Sequence, residues 1–153
     1  MLSIQPVTPA LGAEIHGVDL KTVGGDDLAA IERAFAERSV LFFRDQSLSL
    51  DDLLQVTRRF GPVLRVPYVQ GVPSHPDVIA VLKEADEKKI STFGGTWHSD
   101  FSFLAEPPAA TLLYSIELPP VGGDTIWARQ YLAYDAVSDG MTALLDPLQA
   151  IHT

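Results

Sequence analysis

The sequence predicts one mainly β domain with flanking helices. Three observations lead there: short, wholly apolar runs rich in β-formers recur along the chain, amphipathic segments at helical spacing lie between them, and Gly- or Pro-containing turns separate the pieces. With 153 residues and 46% hydrophobic content, the chain has enough material for one real core and too little for two ordinary ones.

Taken in order, residues 11–18 alternate between glycines and β-formers and read as a short strand ahead of the Gly24-Gly25 turn. From Asp26, Leu28, Ile31, Ala34 and Phe35 recur at helical spacing while Glu32, Arg33 and Glu37 lie off that stripe, which predicts a core-packing helix. Val40, Leu41, Phe42 and Phe43 form an apolar run too short for a helix and read as a buried strand. Ser49 can cap a second helix with Asp52 three residues on; Leu50, Leu53, Leu54, Thr57 and Phe60 form its inward face, and Gly61-Pro62 ends it. Residues 78–82 read as the next buried strand. The charged stretch 83–89 reads as a solvated turn, with a lid over a site as the minor alternative. Residues 97–103 and 110–114 read as strands separated by the break at Pro107-Pro108. The turn 119–124 leads into Thr125, Ile126, Trp127 and Ala128; helices are expected over 130–137 and, after a Ser138 cap, over 139–145. Residues 148–153 form an apolar, strand-like run with no polar tail, so the chain reads as stopping within a fold.

Charge and composition narrow the function. Eleven Lys and Arg against 20 Asp and Glu give a formal charge of −9 with no basic run, which argues against nucleic acid as a partner. There is no cysteine, so disulfides, a thiol nucleophile and thiolate metal sites are all excluded, and any metal must be held by N and O ligands. The N-terminus lacks a basic segment followed by a long apolar run, and no stretch of about eighteen apolar residues occurs. The expectation is a soluble, cytoplasmic protein that does not engage a membrane.

The chemistry-bearing feature is His98-Ser99-Asp100, preceded by the flexible turn 93–96. On a strand, side chains at i and i+2 share a face, so His98 and Asp100 can offer one metal ion two ligands. Neutral imidazole and carboxylate are two of the three ligands of the facial triad that holds Fe(II) with open positions. A His-x-Asp triplet arises by chance in roughly one chain in five of this length, so the triplet alone is equally compatible with a His and an Asp hydrogen-bonded to backbone or water.

Its neighbours carry more. Trp97-His98-Ser99-Asp100, Glu106-Pro107-Pro108-Ala109 and Leu118-Pro119-Pro120-Val121-Gly122-Gly123-Asp124-Thr125 together resemble, in order and spacing, the taurine dioxygenase and 2,4-dichlorophenoxyacetate dioxygenase family of Fe(II)- and 2-oxoglutarate-dependent oxygenases. Leu11-Gly12-Ala13-Glu14-Ile15, Val18-Asp19-Leu20, Phe42-Phe43-Arg44-Asp45-Gln46 and Arg59-Phe60-Gly61-Pro62 are similar to the N-terminal landmarks of that family, so the resemblance runs over residues 2–153.

The resemblance implies a double-stranded β-helix, the jelly-roll or cupin-like architecture, incomplete at its C-terminal side. It implies that His98 and Asp100 are the first two iron ligands and that Thr125 binds a carboxylate of 2-oxoglutarate. The implied reaction is hydroxylation of a substrate C–H by O₂, with 2-oxoglutarate going to succinate and CO₂. A distal His ligand and an Arg for the far carboxylate of 2-oxoglutarate are expected beyond Thr153. His152 precedes the distal-ligand position and is not expected to serve; His16 and His75 are expected in surface or turn roles. Val66 and Gly94 stand where the taurine-oxidising branch carries a His and an amide side chain, which argues against taurine itself. The implied substrate is a small organic acid or sulfonate, with Arg65, Lys88 and Lys89 as candidate counter-charges or plain surface charges, and self-association stays open. Two readings compete: a catalytically incomplete fragment or cupin-like binding module without oxygenase activity, and a hydrolytic enzyme built on Asp100 and Asp124.

Overall fold

The fold is that of a computed structural model, which describes residues 1–66, 68–84, 86, 87 and 94–151. It divides into two compact units, one combining Met1–Ser47 with Ile116–Thr153 and the other comprising Leu48–Ser115.

The first unit is built on a three-stranded sheet, β1 (Ser3–Pro6), β2 (Ala13–His16) and β3 (Leu41–Phe43), in that spatial order. β1 and β2 are antiparallel, with Ser3 opposite His16 and Pro6 opposite Ala13. The turn between them is closed by Val7 N–H donating to the Gly12 carbonyl at 3.0 Å and by the Thr8 hydroxyl, which donates to Leu11 O and accepts from Leu11 N. Gly12 is needed there: its φ is +82°, and a Cβ would lie 3.5 Å from both the Phe42 ring and Val7. β2 and β3 are parallel, with Ala13 opposite Leu41 and Ile15 opposite Phe43. A parallel pair requires a crossover, and α1 (Gly25–Arg38) supplies it.

Alternation along β2 sets the core. Ala13 and Ile15 are buried on one face with Ile31 and Ala34 of α1, while Glu14 and His16 stand half-buried on the other. Asp26 and Asp27 in the first turn of α1 and Arg38 in its last complement the helix dipole. Ser39, at φ 65°, then stops the helix and donates its N–H to the Phe35 carbonyl at 2.7 Å. This unit also holds α3 (Gln130–Asp135) and α4 (Asp139–Leu145), the latter capped by Ser138, whose hydroxyl oxygen accepts from Met141 N; neither helix buries a residue.

The second unit contains α2 (Leu50–Phe60). The Ser49 hydroxyl oxygen accepts from Asp52 N, and the Asp52 carboxylate accepts from Ser49 N at 2.9 Å, so the capping box expected from the sequence is present. The helix buries Leu54 and Val56; Leu50, Leu53, Thr57 and Phe60 are only half-buried, so Val56 corrects the expected inward face.

Among the described residues, strands are confined to the first unit. Residues 78–82, 97–103, 110–114 and 125–128 adopt no strand, nor do 148–151, and more of the described residues lie in helices than in strands. A β-rich run becomes a strand only when a neighbouring backbone takes up its N–H and C=O groups in succession, and no described segment forms a strand ladder with these runs. Val81 and Leu82 are accordingly exposed, at 58% and 73%. β1 was not anticipated: its four residues are all exposed, and only pairing with β2 makes them a strand. Among the described residues no helix is long and apolar enough to cross a membrane.

Candidate metal centre

His98 and Asp100 lie in the second unit and converge, although not by the route expected. The backbone at residues 100–103 is a turn, with Phe101 in the left-handed region at φ 49° and Leu104 N–H donating to the Phe101 carbonyl at 3.0 Å. The i, i+2 face rule of a strand therefore does not apply. His98 Nε2 nevertheless stands 3.2 Å from Asp100 Oδ1.

Each ligand candidate is oriented by a second contact. His98 Nδ1 is 2.7 Å from the Thr96 carbonyl oxygen, which can only accept, so the proton sits on Nδ1. Nε2 then faces a carboxylate oxygen, with a lone pair where the imidazole is neutral. Two acceptors at that separation need a proton or a cation between or beside them. Metal–N and metal–O bonds of about 2.1 Å at a right angle would put the two donor atoms about 3.0 Å apart, so the pair fits a shared metal ion. The other carboxylate oxygen, Asp100 Oδ2, accepts from the Thr111 hydroxyl at 2.7 Å.

Gly94, at φ +72°, lies beside the imidazole. A Cβ there would lie 3.1 Å from His98 Cε1 and 3.7 Å from Nε2. Both side chains remain open to solvent, 49% for His98 and 42% for Asp100. Among the described residues no group of three or more His, Cys, Asp or Glu gathers where a metal could be held.

Thr125 belongs to the first unit, as does Asp124. It follows Gly122 and Gly123, whose φ values of 82° and 75° lie in the left-handed region; of the turn expected over 119–124, residues 120 and 121 form a bend. With Val7, Leu11, Phe42 and Trp127 it lines a mostly apolar cleft of about 260 Å³, in which the Trp127 and Phe42 rings meet edge to face at 5.6 Å.

The remaining candidates are committed elsewhere. Arg65 makes a two-pronged pair with Asp77 Oδ1, at 3.1 and 3.0 Å, so its charge is taken. His75 bridges Ser74 and Asp51 at 3.0 and 3.1 Å within a closed turn held by Val72 N–H to Val78 O. His16 lies 3.4 Å from Glu14 Oε2 on the half-buried face of β2. Arg44 Nε and Nη2 both donate to Glu14 Oε1, and that guanidinium holds the Glu14 carboxyl below its usual pKa. Val66 is half-buried. Lys88, Lys89 and His152 lie outside the described residues, as do Ala85 of the charged stretch and Phe93 of the turn before His98.

Sequence reasoning missed Thr96 and Thr111. Thr96 acts through its backbone carbonyl, which no side-chain pattern reveals. Thr111 sits eleven residues beyond Asp100 in a run that reads as strand.

Comparison with known proteins places this geometry in context. Residues 3–153 match the family model described as taurine catabolism dioxygenase TauD, TfdA family. An alpha-ketoglutarate-dependent sulfate ester dioxygenase of Pseudomonas putida is 33% identical over 99% of this chain and 50% of its own length. An alpha-ketoglutarate-dependent 2,4-dichlorophenoxyacetate dioxygenase of Cupriavidus pinatubonensis is 31% identical over 96% of this chain and 56% of its own. The crystal structure of a taurine dioxygenase from Burkholderia xenovorans superposes with a TM-score of 0.79 at 32% identity, covering 95% of this chain and 51% of that one. The chain spans about half the length of the curated relatives it matches. With a family model matched over nearly all its residues, the chain belongs to the TauD, TfdA family of dioxygenases.

Proposed function

We propose that this chain carries two iron ligands, His98 and Asp100, and a 2-oxoglutarate-binding hydroxyl, Thr125, of an Fe(II)- and 2-oxoglutarate-dependent dioxygenase that hydroxylates a small organic acid or sulfonate. The observation that carries the proposal is the facing of His98 Nε2 and Asp100 Oδ1 at 3.2 Å with Nδ1 already committed to Thr96, in a chain of this family. Both units then belong to one dioxygenase domain spanning 1–153, and the fold to which they contribute is the double-stranded β-helix.

The chain's own residues do three things in this reading. Thr96 fixes the imidazole tautomer so that Nε2 is the free donor. Asp100 offers Oδ1 beside it, on the same side of the turn. Thr125 offers a hydroxyl to a carboxylate beside the mostly apolar cleft that Phe42 and Trp127 also line. Bound iron supplies the open coordination positions and the redox chemistry that C–H hydroxylation needs.

Substrate class is supported by the relatives, named for sulfonates, sulfate esters and a chlorinated aryloxyacetate. All are small anions. Assay of the gene product with Fe(II), 2-oxoglutarate and O₂ against alkylsulfonates, alkyl sulfate esters and aryloxyacetates should give succinate release stimulated by at least one class. No stimulation by any class, with iron bound, would remove the substrate assignment. A second reading, a binding module without oxygenase activity, is favoured by one fact: no third metal ligand joins the pair among the described residues. It predicts no succinate above the metal-free control.

A further inference from the structure

We propose that Thr111 is a positioning residue that holds Asp100 to a single ligand oxygen. The inference rests on the metal reading of His98 and Asp100 and goes beyond it to a residue outside the His-x-Asp motif.

A carboxylate beside a metal can bind through one oxygen or both. Here the two oxygens of Asp100 are already distinguished: Oδ1 faces His98 Nε2 at 3.2 Å, and Oδ2 accepts the Thr111 hydroxyl at 2.7 Å. A hydrogen bond of that length draws charge toward Oδ2 and fixes the carboxylate plane, so Oδ1 alone is presented toward the imidazole. In a six-coordinate site with two His and one carboxylate, single-oxygen binding leaves three positions open; binding through both oxygens would close one of them. Thr111 thereby sets how many positions stay free for co-substrates.

The contact depends on the fold between the partners. The left-handed Phe101 and the Phe101–Leu104 turn reverse the chain immediately after Asp100, and the Thr111 hydroxyl returns to it from beyond Pro107-Pro108. Thr111 is exposed. Its hydroxyl could be satisfied by water, so folding alone gives no reason for it to spend its donor on this carboxylate oxygen.

The test is anaerobic Fe(II) titration of the gene product and of Thr111→Val, Thr111→Ser and His98→Ala, with the unfolding midpoint of each metal-free protein measured alongside. Thr111→Val keeps the shape and removes the hydroxyl; Thr111→Ser keeps the hydroxyl. The expected result is about tenfold weaker Fe(II) binding in Thr111→Val, restoration to within about threefold in Thr111→Ser, and equal metal-free unfolding midpoints. Wild-type affinity in Thr111→Val, failure of Thr111→Ser to recover, or a loss matched by a lowered metal-free midpoint would each overturn the positioning role. His98→Ala separates the two levels. If the wild type binds no tighter than His98→Ala, the metal reading itself falls and takes this inference with it; if it binds tighter while Thr111→Val matches it, only this inference falls.

Discussion

At the scale of residues, the pair His98 and Asp100 is defined as much by its surroundings as by its own chemistry. Thr96 O is hydrogen-bonded to His98, Thr111 Oγ1 to Asp100, and Gly94 leaves beside the imidazole the space that a Cβ would take. Gly94 is the most sensitive of these. Its φ of +72° disfavours any side chain, by about 1 kcal/mol or more, and a Cβ would press on His98 Cε1 at 3.1 Å. Gly94→Ala should therefore weaken Fe(II) binding several-fold by turning the imidazole, beyond its modest cost in stability; unchanged Fe(II) affinity in the folded variant would show that the glycine does not set the ring. The His-x-Asp motif was legible in the sequence because two ligand types at a fixed short spacing are a local signal. The contacts that orient the pair were not. Thr96 contributes a backbone carbonyl, and Thr111 reaches Asp100 only because the intervening chain turns back.

Among elements, what was legible was what is local. The α1 stripe puts Ile31 and Ala34 in the core, and Ser49 with Asp52 caps α2, because helix and cap signals lie within a few residues of the groups they satisfy. Strand signals are half of a pair. Val81 and Leu82 have the composition of a buried strand and are exposed, whereas Ser3–Pro6 has little of that composition and is a strand because β2 receives its hydrogen bonds. The half-buried face of β2 is tied to the chain after β3 by Glu14 and Arg44. Because Arg44 lowers the Glu14 pKa, the pair's contribution to stability is present above the ordinary carboxylate value and is lost as pH falls through the lowered one. Unfolding midpoints of the wild type and Glu14→Gln should differ slightly near neutral pH and converge in acid. A difference that persists or widens in acid would contradict the pairing as the source.

For the whole molecule, the family assignment rests on the match over residues 3–153 and on relatives about twice as long as this chain. Many exposed apolar side chains lie in the last third, among them Ile116, Leu118, Val121, Tyr131, Leu144 and Ile151, and α3 and α4 bury none of their residues. Hydrophobic pattern pointed there to strands at 125–128 and 148–153 and to helices at 130–137 and 139–145; the helices form, whereas 125–128 and 148–151 adopt no strand, since a strand needs a partner that takes up its backbone groups. The family itself was readable because separated motifs in fixed order survive where individual strands are ambiguous. Whether His98 and Asp100 hold iron for 2-oxoglutarate chemistry is decided by anaerobic addition of Fe(II) and 2-oxoglutarate to the gene product while watching for the weak visible charge-transfer absorption of 2-oxoglutarate chelated to iron. The band is expected in the wild type and is expected to be lost in both His98→Ala and Asp100→Ala; no band in the wild type, or a band that survives both substitutions, would contradict iron binding by this pair.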